Sequence, residues 1–183
     1  MRKHSLTRRA GLHAGCLVAA LFFATSAGAS CDANIRITRP DSRYEAVAGA
    51  MPAGSEVRDK VTGLIWQRCP LGMAWDGSVC AGTALALTWA ESLEAARTAV
   101  ASRAPGAGWW RLPSITELVS LIDTACLGPA TNSTWFTSSH LVWSSSPFLA
   151  HAPSAWIVNL NQGETLGSPK GSKWWVLLVR AGQ

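Results

Sequence analysis

Trp110-Arg111-Leu112-Pro113-Ser114-Ile115-Thr116-Glu117-Leu118 is the stretch on which the fold class turns. Pro113 cannot continue a helix, and Ser114 followed three residues later by Glu117 is a capping box that starts a new one. The apolar spacing predicts a buried stripe of Ile115, Leu118, Val119 and Ile122. Upstream, Thr88-Trp89-Ala90-Glu91 is a second capping box. Trp89, Leu93, Ala96 and Val100 then fall on one helical face. Before these helices, residues 57–67 read as a hairpin turning at 60–63. Residues 31–55 read as a polar lead-in with one short strand at 35–38. After them the period changes. Residues 141–146, 155–160, 164–167 and 173–180 read as short strands, separated by turns at 147–153, 161–163 and 168–172. Strands, two helices and an antiparallel meander make an α+β domain, with both helices packed on short strands.

Net charge misleads until the chain is divided. The whole sequence carries 16 Lys and Arg against 11 Asp and Glu, a balance of +5. Residues 1–29 hold Arg2, Lys3, Arg8 and Arg9 and no acid; without them 12 basic and 11 acidic residues remain. A nucleic-acid partner is therefore not expected. Residues 1–29 themselves read as an export signal: basic residues, an apolar run over 14–24, then Ala27-Gly28-Ala29 as a small-residue cleavage site. Thr7-Arg8-Arg9 leaves the Sec and twin-arginine routes both open. No apolar run reaches the length of a membrane span, so no transmembrane anchor is expected. The expectation is an exported protein, periplasmic, at the cell surface or extracellular. Residues 1–29 would be signal, 30–54 an extended lead-in and 55–183 the domain.

Cleavage would remove Cys16 and leave Cys31, Cys69, Cys80 and Cys126, an even number for an oxidising compartment. Four cysteines allow three pairings. Pro70, Gly72 and Gly77 let the short segment turn back, which favours Cys69 with Cys80 and leaves Cys31 with Cys126. In the chain-entropy account these closures contribute about 3 and about 4.7 kcal/mol. A metal site is not expected, because no pair has a two-residue spacing and beyond residue 29 the histidines are His140 and His151. No cofactor is implied.

Thr62-Gly63-Leu64-Ile65-Trp66-Gln67-Arg68-Cys69, then Trp75, Gly77 and Cys80, the Trp110–Leu118 block, Trp143-Ser144-Ser145-Ser146, Trp156 and Val179-Arg180 follow one another in a distinctive order. In order and spacing the chain resembles the Lcl C-terminal domain family, bacterial exported domains named for a collagen-like surface adhesin. The likeness covers about residues 55–182. It implies a C-type-lectin-like fold, related also to formylglycine-generating enzymes, and a role in surface attachment and glycan binding. The chain departs from the pattern in three ways. It has no collagen repeat before the domain, leucine stands in the strand ending at Arg180 where many relatives have cysteine, and the small charge beyond residue 29 offers no broad cationic face.

All ten tryptophans lie beyond residue 29. Trp109-Trp110 and Trp174-Trp175 are adjacent pairs, and neighbours on a strand point to opposite faces, so one ring of each pair is a candidate platform for sugar or protein. The competing expectation is that these rings fill the core, as expected more firmly for Trp66, Trp89 and Trp143. Arg111 is a candidate clamp for an anion; the structural alternative pairs it with Asp123 or a backbone carbonyl while Glu117 closes its capping box. Lys170, Lys173 and Arg180, with Asn161 and Gln162 from the preceding turn, form a candidate cationic rim. Asp59 reads as a turn-former. Ser144, Ser145 and Ser146 with His140 and Asp123 supply the residue types of a hydrolase triad but lack a nucleophile elbow. A calcium lectin site lacks acids, with Glu164 the one acid after Asp123. The resulting expectation is a non-catalytic binding module for glycan or a cell-surface protein. The alternatives are an accessory subunit of a surface assembly and, behind it, an envelope hydrolase.

Overall fold

The computed structural model describes residues 29–101, 109–137 and 140–182. The expected export segment thus lies outside the described residues except for Ala29, as does the side chain of Val100. The chain is mixed α+β and mostly strand. β1 (Ser30–Cys31) comes first, then a 3-10 turn at Asp41–Arg43 and β2 (Tyr44–Ala46). β3 (Glu56–Asp59) and β4 (Leu64–Gln67) form the expected hairpin, and β5 (Met73–Trp75) with β6 (Cys80–Gly82) a second. α1 (Trp89–Ala101) and α2 (Ile115–Val119) follow, then β7 (Cys126–Leu127), β8 (Leu141–Pro147), β9 (Ser154–Asn159), β10 (Glu164–Pro169) and β11 (Val179–Ala181).

Both capping boxes form. Thr88 donates its N–H to the Glu91 carboxylate at 2.8 Å, while the Glu91 N–H reaches Thr88 Oγ1 at 3.4 Å. At α2, Ser114 Oγ accepts from the Glu117 N–H and Glu117 accepts from the Ser114 N–H. The buried stripe of α2 differs from the 3.6-residue expectation. The helix ends after five residues, and Leu121 and Ile122 continue with bonds to Leu118 and Val119 three residues back. That tighter turn brings Leu121 into the core and leaves Val119 39% exposed.

The meander is real but divided between two sheets. β8, β9 and β10 form one antiparallel sheet in the order β10-β9-β8, and β11 joins the other, ordered β11-β4-β3-β2. The expected strand over 173–180 therefore shortens. Trp174 bridges Leu87, Trp175 bridges Val142 of β8, and only Val179–Ala181 is ladder, against β4. This segment joins the sheets. Two apolar clusters flank them: Trp66, Leu118, Phe136, Val142 and Val158 in one, Ile65, Ala96, Trp110, Trp143 and Ile157 in the other. α1 packs on the second cluster and α2 on the first, so β8 and β9 are covered on both faces.

No strand forms at 35–38. Asp32 turns the chain by accepting the Asn34 N–H, and the Thr38 and Arg39 N–H groups donate to the Asp123 carboxylate at 2.8 and 2.7 Å instead of to a ladder. Both expected disulfides are present: Cys31–Cys126 staples β1 to β7, and Cys69–Cys80 closes the segment around β5. Gly72 within that segment adopts φ +92°, and a Cβ there would fall 2.6 Å from the Thr83 carbonyl. No described helix is long and apolar enough to cross a membrane.

Candidate functional site

Three separate segments meet in a groove of about 360 Å³. The β9–β10 turn supplies Asn159, Asn161 and Gln162, the start of β8 supplies His140 and Leu141, and the sheet-joining segment supplies Lys173, Trp174 and Trp175. Asn159 organises the turn. Its Oδ1 accepts the Asn161 and Gln162 N–H groups at 3.1 and 3.3 Å, and its Nδ2 donates to Gln162 Oε1 at 2.8 Å. Trp174 exchanges backbone bonds with Leu87, and its Nε1–H donates to Ser168 Oγ at 2.7 Å. Trp175 N–H donates to the Leu141 carbonyl, and the Trp175 carbonyl accepts from Trp143.

Trp174 packs on the cluster beneath α1 and Trp175 on the opposite one, so each ring is half-buried and fixed. The His140 ring lies on Trp175 with centroids 3.6 Å apart. Among the described residues neither the Asn161 side chain nor the Lys173 ammonium makes a hydrogen bond or ion pair. Fixed ring surface beside free amide and ammonium donors can meet the apolar C–H face of a sugar while bonding its hydroxyls.

The other candidate residues lie elsewhere. Trp109 is 77% exposed and outside the groove, whereas its neighbour Trp110 is 2% exposed within the core and has no face to offer. Arg111 pairs with Glu117, not Asp123, through two bonds of 2.7 and 2.5 Å. The Arg111 guanidinium is the main cause holding the Glu117 carboxyl below its ordinary range. Asp123 is instead buried beneath the Thr38, Arg39 and Ala125 N–H groups. Lys170 Nζ donates to the Ala152 carbonyl at 3.0 Å and sits over the Trp89 ring. Arg180 pairs with Glu56 at 2.8 Å against Trp110. The expected rim of three cations thus reduces to Lys173 at the groove.

The triad residue types are not assembled. Ser144 Oγ donates to the Trp156 carbonyl at 2.9 Å, Ser146 Oγ accepts the Ile115 N–H at 3.0 Å, and His140 is on Trp175. Among the described residues no three of His, Cys, Asp and Glu cluster as metal ligands. A larger groove of about 730 Å³ runs beside α1, lined by Leu71, Leu85, Leu87 and Ala95 with Glu91 and Glu94; it has no aromatic ring.

Sequence reasoning missed His140 and Asn159 as parts of the groove. The signal for Asn159 was present: an Asn at the end of a strand, four residues before Gly163, is a turn-organiser. His140 carried none, since its stacking depends on how the 173–175 segment crosses β8. Also missed was the buried Arg43–Asp59 pair, with bonds of 2.8 and 2.6 Å.

The family model of the Lcl C-terminal domain matches residues 55–180. No curated protein and no solved structure matches the chain at significant similarity.

Proposed function

Because the chain belongs to the Lcl C-terminal domain family, an adhesin-related family, we propose that it is an exported, non-catalytic attachment module. In this reading the groove of His140, Asn161, Gln162, Lys173, Trp174 and Trp175 binds glycan. One observation carries it: two half-buried indoles stand beside the Asn161 side-chain amide and the Lys173 ammonium, neither of which has a hydrogen-bond or ion-pair partner among the described residues. Both groups reach solvent, so a ligand can take them without breaking an internal bond. Two disulfides support an oxidising destination. Helices against antiparallel strands, with the lead-in stapled to the domain, support a C-type-lectin-like assignment.

A single cation at the groove favours neutral or weakly acidic sugars over densely sulfated ones. The test is a glycan array with oxidised protein expressed from the full sequence, at low and physiological salt. A salt-resistant hit that Asn161→Ala and Lys173→Ala weaken supports the groove. Hits that disappear at physiological salt would locate binding in diffuse charge instead. A blank array, or hits untouched by both variants, would overturn the reading.

A further inference from the structure

Sheet edges are where this fold leaves main-chain groups uncommitted, and the described strands treat their edges differently. The outer side of β8 is bonded by Trp175, and β11 is covered by Arg111, which exchanges both backbone bonds with Val179. β2 is an edge of three residues. β10 is six residues long and, among the described strands, pairs only with β9.

The register tells which of its groups face outward. Lys170 N–H donates to the Pro153 carbonyl, continuing the ladder in which Glu164 faces Asn159 and Leu166 faces Ile157. On the other side of β9, Leu160 N–H donates to the His140 carbonyl. Even-numbered residues of β10 therefore bond to β9, and the N–H and C=O groups of Thr165 and Gly167 point away from the sheet. Outward guards are missing between Thr165 and Ser168. Leu166 is 44% exposed, Glu164 is the one charged residue of the strand, and Pro169 and Lys170 come only at its end.

We infer that β10 is a dimerisation edge, and that its partner is β10 of a second copy of this chain, antiparallel about a twofold axis through Leu166. In that register Thr165 of one copy and Gly167 of the other exchange both backbone bonds. Glu164 stands opposite Ser168, so no like charges meet. Leu166 stands opposite its own copy as a non-hydrogen-bonded pair, the closer type, with Cα atoms about 4.5 Å apart. Gly167 suits the position. On the sheet face the Phe148 ring lies where its Cβ would be, 2.8 Å from Phe148 Cδ1, so the backbone stays clear for an incoming strand. The resulting six-stranded sheet would place two glycan grooves on one assembly.

Sedimentation of the protein expressed from its full sequence reads the proposal. A dimer in the micromolar range is expected, and Leu166→Lys should raise its dissociation constant at least ~10-fold by setting two ammonium groups across the axis. Leu166→Cys provides a second reading: two cysteines at that spacing should oxidise to a disulfide-linked dimer, whereas Val61→Cys, exposed on another turn, should not. A wild-type protein that stays monomeric over the whole concentration range overturns the inference. So does a dimer that Leu166→Lys leaves intact while Leu166→Cys fails to cross-link.

Discussion

Two hairpin turns of this protein share one backbone design and serve opposite ends. In each, a residue at the end of a strand accepts bonds from the turn it begins, and its carbonyl accepts from a glycine four residues on. Gly63 N–H donates to Asp59 at 2.8 Å and Gly163 N–H to Asn159 at 2.7 Å, with φ of 72° and 76°. The difference is the first side chain. Asp59 is ionised, fully buried, and receives Arg43, Thr62 and the Val61 N–H. Asn159 is neutral, and the turn it organises leaves Asn161 with a free amide in the groove. The same local geometry becomes framework where a charge draws every partner inward, and leaves a side-chain amide uncommitted at the proposed binding groove where no charge does.

Removing Asp59 should do the most damage. Asp59→Ala leaves Arg43 buried and unpaired, and denaturant unfolding should show a loss of about 3–5 kcal/mol. Acid attacks the same interaction. Burial opposes ionisation of Asp59, but the hydrogen bonds from Arg43, Thr62 and Val61 outweigh it and hold its pKa below the ordinary value. Its contribution is therefore complete above the unfolded carboxylate pKa near ~4 and lost as pH falls through the lower folded value. Thermal melts should decline below pH ~4 in the wild type and flatten in Asp59→Asn.

The alkaline side of the same corner comes next. Burial chiefly, against Arg43 and with Asp59, pushes the Tyr44 phenol up to about 12. A raised folded pKa means stability is intact below the unfolded value near ~10 and lost as pH climbs through the folded one. Tyr44 is the one tyrosine of the chain, so phenolate absorbance reads it directly. Titration near pH ~10 in folded protein would count against this burial.

Asn159→Ala should cost less, about 1 kcal/mol for neutral bonds at an accessible turn. Its melting point should stay close to wild type while glycan binding weakens, because Asn161 and Gln162 lose their brace. Asn161→Ala should change stability within about 0.5 kcal/mol and yet reduce binding. A large stability loss there would make Asn161 framework and dissolve the contrast between the turns.

Legibility in the sequence follows the same division between local and convergent features. The capping boxes at Thr88 and Ser114, the β3–β4 hairpin and the Cys69–Cys80 closure were readable because each is decided within about a dozen residues. Val119 was misplaced because a periodic argument presumes the helix continues, and this one tightens after five residues. The extended strand expected at 35–38 failed because its backbone donors found a carboxylate some eighty-five positions away, at Asp123. The groove was half visible. Trp174, Trp175, Lys173 and Asn161 were named, but nothing local separates Lys173 from Lys170 and Arg180, whose partners at Ala152 and Glu56 depend on tertiary contacts.

The Cys31–Cys126 staple has a mechanical consequence under the proposed attachment role. A force applied between Ser30 and the proposed groove would pass from Cys31 through the sulfur bridge to Cys126, and onward toward Asn161 and Lys173. Residues 32–125, which include both helices and the β3–β4 hairpin, form a covalent loop outside the load path. Such a force would bear on β8, β9 and the segment that joins the sheets, and not directly on the 94 residues between the two cysteines. Reducing that bridge would place those 94 residues in the load path and make the connection longer and more compliant.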